Sequence, residues 1–191
     1  MTQIGATRKV IAVPKPGRNF KVVLVGDMAT GKTSLIAKLA DSAFRENYIP
    51  TVCANISTKN YELDGNTVTL VLWDIAGQEG FKKVRDQYYR GAAAAFIVYD
   101  VTKPKSLQNV HTWLEEIRKF MSTAFLLTLV GNKIDLPREV NREDGEKLAK
   151  EIGADFVETS AKTGENVVTA FANMAKKLLD QIPPTPPTRK E

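Results

Sequence analysis

Gly26-Asp27-Met28-Ala29-Thr30-Gly31-Lys32-Thr33 follows the apolar run 21–25 and opens residues 32–39, whose apolar side chains fall at helical spacing. A glycine, four residues, then Gly-Lys-Thr between a strand and a helix is the order a phosphate-binding loop requires. Successive backbone N–H groups of such a loop point inward around a β-phosphate, and the helix N-terminus adds positive potential. Gly26, Met28, Ala29, Thr30, Gly31, Lys32, Thr33 and Ser34 are therefore the candidate phosphate contacts. Lys32 is expected to set its ammonium between the β- and γ-phosphates as a catalytic group, and Thr33 to offer its hydroxyl to Mg²⁺. Alone, the loop specifies a nucleoside triphosphate and leaves the base open.

Downstream, residues 56–63 and 67–73 alternate with period two around Asp64-Gly65, a hairpin signal. Residues 94–99 and 125–130 are continuous apolar runs, as in strands covered on both faces, and 156–159 is a last short strand. Residues 106–120, 142–152 and 167–179 carry apolar side chains three and four apart and read as surface helices. This alternation predicts a three-layer α/β sandwich of the P-loop NTPase type, with a mostly parallel six-stranded sheet, one antiparallel strand and helices on both faces.

Two more segments belong beside the phosphates. Trp73-Asp74-Ile75-Ala76-Gly77-Gln78-Glu79 ends an apolar strand. Asp74 is placed to meet Mg²⁺ through a bound water, Gly77 to give an unobstructed N–H to a γ-phosphate oxygen, and Gln78 to position an attacking water. In Tyr48-Ile49-Pro50-Thr51, Thr51 can add a hydroxyl to the metal and an N–H to the γ-phosphate. Two tetrads at successive strand ends then address the base. In Asn132-Lys133-Ile134-Asp135, Asp135 can accept from guanine N1–H and the N2 amine, and the Lys133 stem can lie along the ring. Adenine offers neither donor, so the acid would be left unpaired against ATP, which disfavours an ATPase. In Thr159-Ser160-Ala161-Lys162, the Ala161 N–H can donate to guanine O6.

The chain has 191 residues, 43% of them hydrophobic, which suits one domain with a buried core. Its net charge of +5 is uneven, since residues 1–19 hold Arg8, Lys9, Lys15 and Arg18 and no acid, leaving +1 for the rest. A nearly neutral body argues against nucleic acid as a partner. Residues 1–19 read as a flexible basic arm, 20–182 as the nucleotide-binding domain and 183–191 as a solvated Pro-rich tail. Cys53 is the only cysteine, so no disulfide forms within the chain. No apolar stretch is long enough to span a bilayer. His111 reads as a surface or packing residue, and Arg85 and Arg90 as helix-surface charges.

With these residues in place, the chain resembles the Ras superfamily of small GTPases over residues 20–182, and within it the Rab family. The Rab likeness rests on Glu62-Leu63-Asp64-Gly65, on Trp73-Asp74 with Ala76-Gly77-Gln78-Glu79, and on Tyr88-Tyr89-Arg90-Gly91-Ala92 before Val98-Tyr99-Asp100-Val101-Thr102. The resemblance implies that Phe44 stacks against guanine and Tyr48 closes over the phosphates. It makes 45–56 switch I and 75–90 switch II, and makes Ile56, Trp73 and Tyr88 a triad facing effectors. It also implies exchange-factor and GTPase-activating partners.

Several positions depart from that family. Met28 stands where a small residue is usual, Ile56 where the triad has Phe, Ile75 where Thr is frequent, and Gly80 where Rab proteins have Arg. Val52-Cys53-Ala54-Asn55 differs at the hairpin entry, and no cysteine near residue 191 offers a prenylation site. A divergent Rab-like or archaeal-type relative fits these features. The expectation is a monomeric cytoplasmic switch that binds GTP or GDP with Mg²⁺ and hydrolyses GTP slowly, in membrane trafficking or cytoskeletal regulation. Any membrane contact would run through the basic arm or a partner. The alternative is a nucleotide-holding scaffold with little or no hydrolysis.

Overall fold

The computed structural model describes residues 17–40, 51, 53–78, 80, 82–121 and 124–182. The arm through residue 16, switch I residues 45–50 and 52 with Tyr48 among them, Phe44, Glu79, and the tail from 183 lie outside the described residues. In chain order the elements are β1 (Arg18–Val25), α1 (Lys32–Leu39), β2 (Ala54–Leu63), β3 (Asn66–Ile75), α2 (Lys82–Tyr89) and β4 (Ala94–Asp100). They continue with α3 (Pro104–Gln108), α4 (Val110–Arg118), β5 (Leu126–Asn132), α5 (Arg142–Ile152), β6 (Asp155–Thr159) and α6 (Val167–Asp180).

Six strands form one sheet in the order β2-β3-β1-β4-β5-β6. Only the β2–β3 pairing is antiparallel, and its tip is the expected turn, with Asp64 at φ 50° and Gly65 at φ 71°. Two successive positive φ values match the right-handed strand twist, which is why Asp-Gly suits the position. β1 lies parallel between β3 and β4. The chain moves to one side of β1 with β2 and β3 and to the other with β4, β5 and β6. The loop after β1 therefore sits at the point where strand order reverses, the usual ligand crevice of an open α/β sheet.

Period-two geometry divides even the fully apolar strands between two cores. Val22, Leu24, Ala94, Phe96 and Val98 face α1 and α6 with Leu35, Phe171 and Met174. Val23, Val25, Ala95, Ile97 and Tyr99 face the opposite layer with Val110, Trp113, Leu148 and Ile152. This is the three-layer arrangement the sequence predicts. Three details differ. The helix expected over 106–120 is two pieces separated at Asn109, although Asn109 N–H still reaches Lys105 O and its carbonyl accepts from Trp113. An eight-residue helix, α2, occupies half of the segment expected as switch II. Strands also run further than apolarity suggests: β3 continues through Asp74 and β5 through Asn132, because ladder pairing continues past the last apolar side chain.

Tyr99 fixes the packing of the layer under α5. Its ring is fully buried between β5 and the helix. A Cβ at Gly131 would come within 2.6 Å of the Tyr99 hydroxyl, and one at Gly145 would meet that hydroxyl and lie 2.7 Å from Phe156 Cε2. A glycine inside a helix normally weakens it by about 0.5–1 kcal/mol; here it makes room for an aromatic ring. Gly145→Ala is expected to destabilise the protein by about 1–2 kcal/mol, since overpacking of about 1–3 kcal/mol outweighs the helix gain. Adding Tyr99→Phe should recover part of that loss by removing one of the clashing atoms. Denaturant midpoints of the three variants would check both statements.

Candidate nucleotide site

The loop after β1 is built on close backbone approaches. A Cβ at Gly26 would collide with the Val98 carbonyl of β4, and one at Gly31 with the side-chain amide of Asn132. A Cβ at Gly77 would lie 2.5 Å from Gly26 O and 2.7 Å from Met28 N, so the start of the switch II segment rests on the loop itself. Thr30 is buried and donates its hydroxyl to Asp27 O at 3.0 Å. Lys32, the first residue of α1, is buried, with Nζ donating to Gly26 O and Asp27 O at 2.8 Å each. Burial lowers its pKa to about 8 against the opposing pull of Asp74 and Asp27. Its ammonium thus closes the loop from inside. Ser34 is half-buried in the first turn of α1. Met28 is 50% exposed, at the outer rim of the loop.

At the start of α1 three side chains expected at a metal converge. Thr33 Oγ1 donates to Asp74 Oδ2 at 2.5 Å, Thr51 Oγ1 donates to the same oxygen at 3.1 Å, and the two hydroxyls are 2.8 Å apart. Asp74 is buried, and its other oxygen, Oδ1, has no hydrogen-bond partner among the described residues. Buried carboxylate oxygens are rarely left so. Two hydroxyls and a carboxylate with spare acceptor capacity form an all-oxygen set that fits Mg²⁺, a hard cation.

The corner expected to meet the base is held by Asn132, which is buried at the end of β5. Its Nδ2 donates to Thr30 O at 2.9 Å, and its Oδ1 accepts from the Thr159 hydroxyl at 3.1 Å and from Ala161 N–H at 3.2 Å. The Ala161 donor expected to be open to a base is therefore already engaged, because the Asn132 carbonyl oxygen reaches it first. Ser160 donates to Asp135 Oδ1 at 2.6 Å, orienting that carboxylate at the loop surface, and Lys162 is exposed beside it. Lys133 takes a left-handed backbone, φ 73°, and its Nζ pairs at 2.6 Å with Asp100 Oδ2 at the end of β4. Asp100 is fully buried and also accepts the Thr102 N–H and hydroxyl.

The three residues expected to face effectors are brought together by the β2–β3 hairpin and α2. Ile56 pairs directly opposite Trp73 and is 56% exposed, and Tyr88 of α2 packs on Trp73 with ring centroids 5.8 Å apart. Lys21 Nζ lies 4.1 Å over the Trp73 ring. Gln78 sits half-buried after β3, with its carbonyl accepting from Arg85 Nη1 at 2.7 Å.

Arg85 corrects an expectation. It is 3% exposed, and it forks onto both oxygens of Glu116 at 2.8 and 3.0 Å. A mostly polar helix gives no periodic sign that one of its charges points inward. Asp27 was equally hidden: it reads as a variable loop position, yet it accepts from Asn109 Nδ2 at 2.7 Å and Trp113 Nε1 at 2.8 Å. Asp100 could have been found, since an acid closing a fully apolar strand at the ligand edge needs a partner.

A family model described as "Ras family" matches residues 21–180. Over 162 residues the chain is 48% identical to the Ras-related protein Rab-26 of Rattus norvegicus and 49% to that of Homo sapiens. Each match covers 83% of this chain and 63% of the relative, so the chain spans under two thirds of those proteins. The Ras-related protein RIC1 of Oryza sativa subsp. japonica is 43% identical over 171 residues, 88% of this chain and 85% of the relative. A loop closed by Lys32, an oxygen-lined corner around Asp74 and a base corner tied by Asn132 lie within the matched span, and the chain belongs to the Ras family of small GTPases, most similar to its Rab members.

Proposed function

We propose that this protein is a guanine-nucleotide switch that binds GTP and GDP with Mg²⁺ and hydrolyses GTP slowly. The convergence of Thr33, Thr51 and Asp74, with an unpartnered buried oxygen on the acid, carries the reading. In it, the backbone of residues 26–34 cradles the phosphates, and Lys32 turns its ammonium from Gly26 O and Asp27 O toward the β- and γ-phosphate oxygens. Thr33 and Thr51 would give hydroxyls to the metal, with Asp74 reaching it through a bound water. Mg²⁺, when bound, neutralises charge on the phosphate oxygens. Gly77 N–H meets the γ-phosphate, and Gln78 orients the attacking water. Asp135, set by Ser160, reads guanine N1–H and N2, while Lys133 lies along the ring with its charge directed at Asp100. Ala161 can serve O6 once it shares its N–H with Asn132. Phe44 and Tyr48 are assigned to the base and phosphates on family resemblance alone.

Switch I, switch II and the Ile56–Trp73–Tyr88 surface are the proposed contacts for effectors, exchange factors and activating proteins. A cytoplasmic place and a role in membrane trafficking or cytoskeletal regulation are proposed on the family resemblance. No helix among the described residues is long and apolar enough to cross a membrane.

A scaffold reading, with nucleotide held but barely turned over, draws on Met28. This exposed thioether stands at the loop rim where an activating arginine would enter, and such an arginine is worth about 10³–10⁵ in rate. Nucleotide released from the purified protein should be GDP or GTP by chromatography, and GTP should turn over in single-turnover assays. Met28→Gly should leave GTP affinity near wild type and speed hydrolysis, most with an activator present. Equal rates of wild type and Met28→Gly, both with and without activator, would show that the side chain is no brake. Asp135→Asn should weaken GTP by about ten- to a hundredfold, the loss of about 1.5–3 kcal/mol from a charge-assisted contact, and gain xanthosine triphosphate. Competition titrations with the two nucleotides would check the exchange of preference.

A further inference from the structure

Arg85 does more than pair with Glu116. Its Nη1 donates to the Gln78 carbonyl at 2.7 Å and to the Ala76 carbonyl at 3.3 Å, so one buried guanidinium holds the main chain on both sides of Gly77. Three features hold the guanidinium in turn. Glu116 accepts from Nε and Nη2, and the Tyr89 hydroxyl donates to the same carboxylate at 2.7 Å. The face of Trp113 lies 4.5 Å from Cζ. Trp113 itself is tied to the phosphate loop through Asp27, which also accepts from Asn109. A continuous set of contacts thus runs from the phosphate loop through α4 to the backbone at Gln78.

A buried ion pair is weak evidence for stability, because well-packed apolar residues often serve as well or better. The added feature here is direction: the pair leaves one edge of a rigid fork free to bind two carbonyls of the switch segment. Lysine, a point charge on a flexible stem, cannot hold a carboxylate in two places and two carbonyls at once.

We infer that Arg85 is a positioning residue that sets the backbone of Gln78 against the phosphate loop. The inference rests on the proposed hydrolytic reading, in which Gln78 orients the attacking water. Small misplacements of such a group can lower rates by about a hundredfold.

The test compares the wild-type chain with Arg85→Lys and with the neutral double variant Arg85→Met/Glu116→Met, which removes both charges of the pair together. Single-turnover GTP hydrolysis and GTP and GDP affinities are measured for each, with folding followed by circular dichroism. The expected result is hydrolysis slowed about ten- to a hundredfold in both variants, with both affinities within about twofold of wild type. A purely structural pair would lower the melting temperature and leave the hydrolysis rate of the folded, loaded protein unchanged, and that result overturns the proposal. So does a fall in hydrolysis that only tracks affinity. Failure of both variants to fold assigns the pair to stability and overturns it as well. Absence of GTP turnover in the wild type would be distinct, since it removes the hydrolytic reading and this inference with it.

Discussion

The ends of β1, β5 and β6 are joined through the side chain of Asn132. Its amide hydrogens reach the phosphate loop at Thr30, and its oxygen gathers the Thr159 hydroxyl and the Ala161 N–H. The residue is 1% exposed, so these bonds form away from water, where an unmade one would be costly. Gly31 follows from the same contact, because any Cβ there would occupy the space of the amide. The distance between the phosphate corner and the base corner is thereby set by one planar group. A ligand carrying phosphates at one end and a base at the other meets a site whose span is fixed beforehand.

Around this fastening the protein accepts several groups that do little for stability. Asp74 keeps an oxygen without a partner among the described residues, Lys32 is buried with its charge disfavoured by loss of water, and Lys133 adopts a left-handed backbone. Each is a departure from what a sequence chosen for stability alone would hold, and such departures gather at functional sites. The two apolar layers supply the compensation, with strands β1 and β4 buried on both faces.

Much of this was open to reading in the sequence. The Gly-Lys-Thr loop, the Asp-Gly hairpin and the apolar strands gave the sheet, and the acids and amides at strand ends gave most of the site, because side chains there have few places to point except the ligand edge. What stayed hidden depends on partners far apart in the chain. Arg85 and Glu116 are separated by 31 residues, and Asp27 and Trp113 by 86. Periodicity records which face of a helix is apolar; it carries no sign that an arginine on a mostly polar helix is neutralised from another element. Gly145 misleads in the same way, since a glycine in a helix reads as weakness until the Tyr99 ring is placed beneath it. The engaged Ala161 N–H was also beyond reach, as sequence spacing gives which donors are near the base but not which acceptors compete for them.

The two tryptophans have a practical consequence. Trp73 lies under the Lys21 ammonium on the outer face of the hairpin, and Trp113 lies under the Arg85 guanidinium with its N–H on the Asp27 carboxylate. Indole emission responds to nearby charge and to hydrogen bonding at the ring nitrogen. One chromophore therefore watches the outer face of the hairpin, and the other watches the loop after β1. Replacing either ring by phenylalanine would leave a single-tryptophan chain, so the two regions could be timed separately, without a label, by stopped-flow mixing of each variant with selective tryptophan excitation.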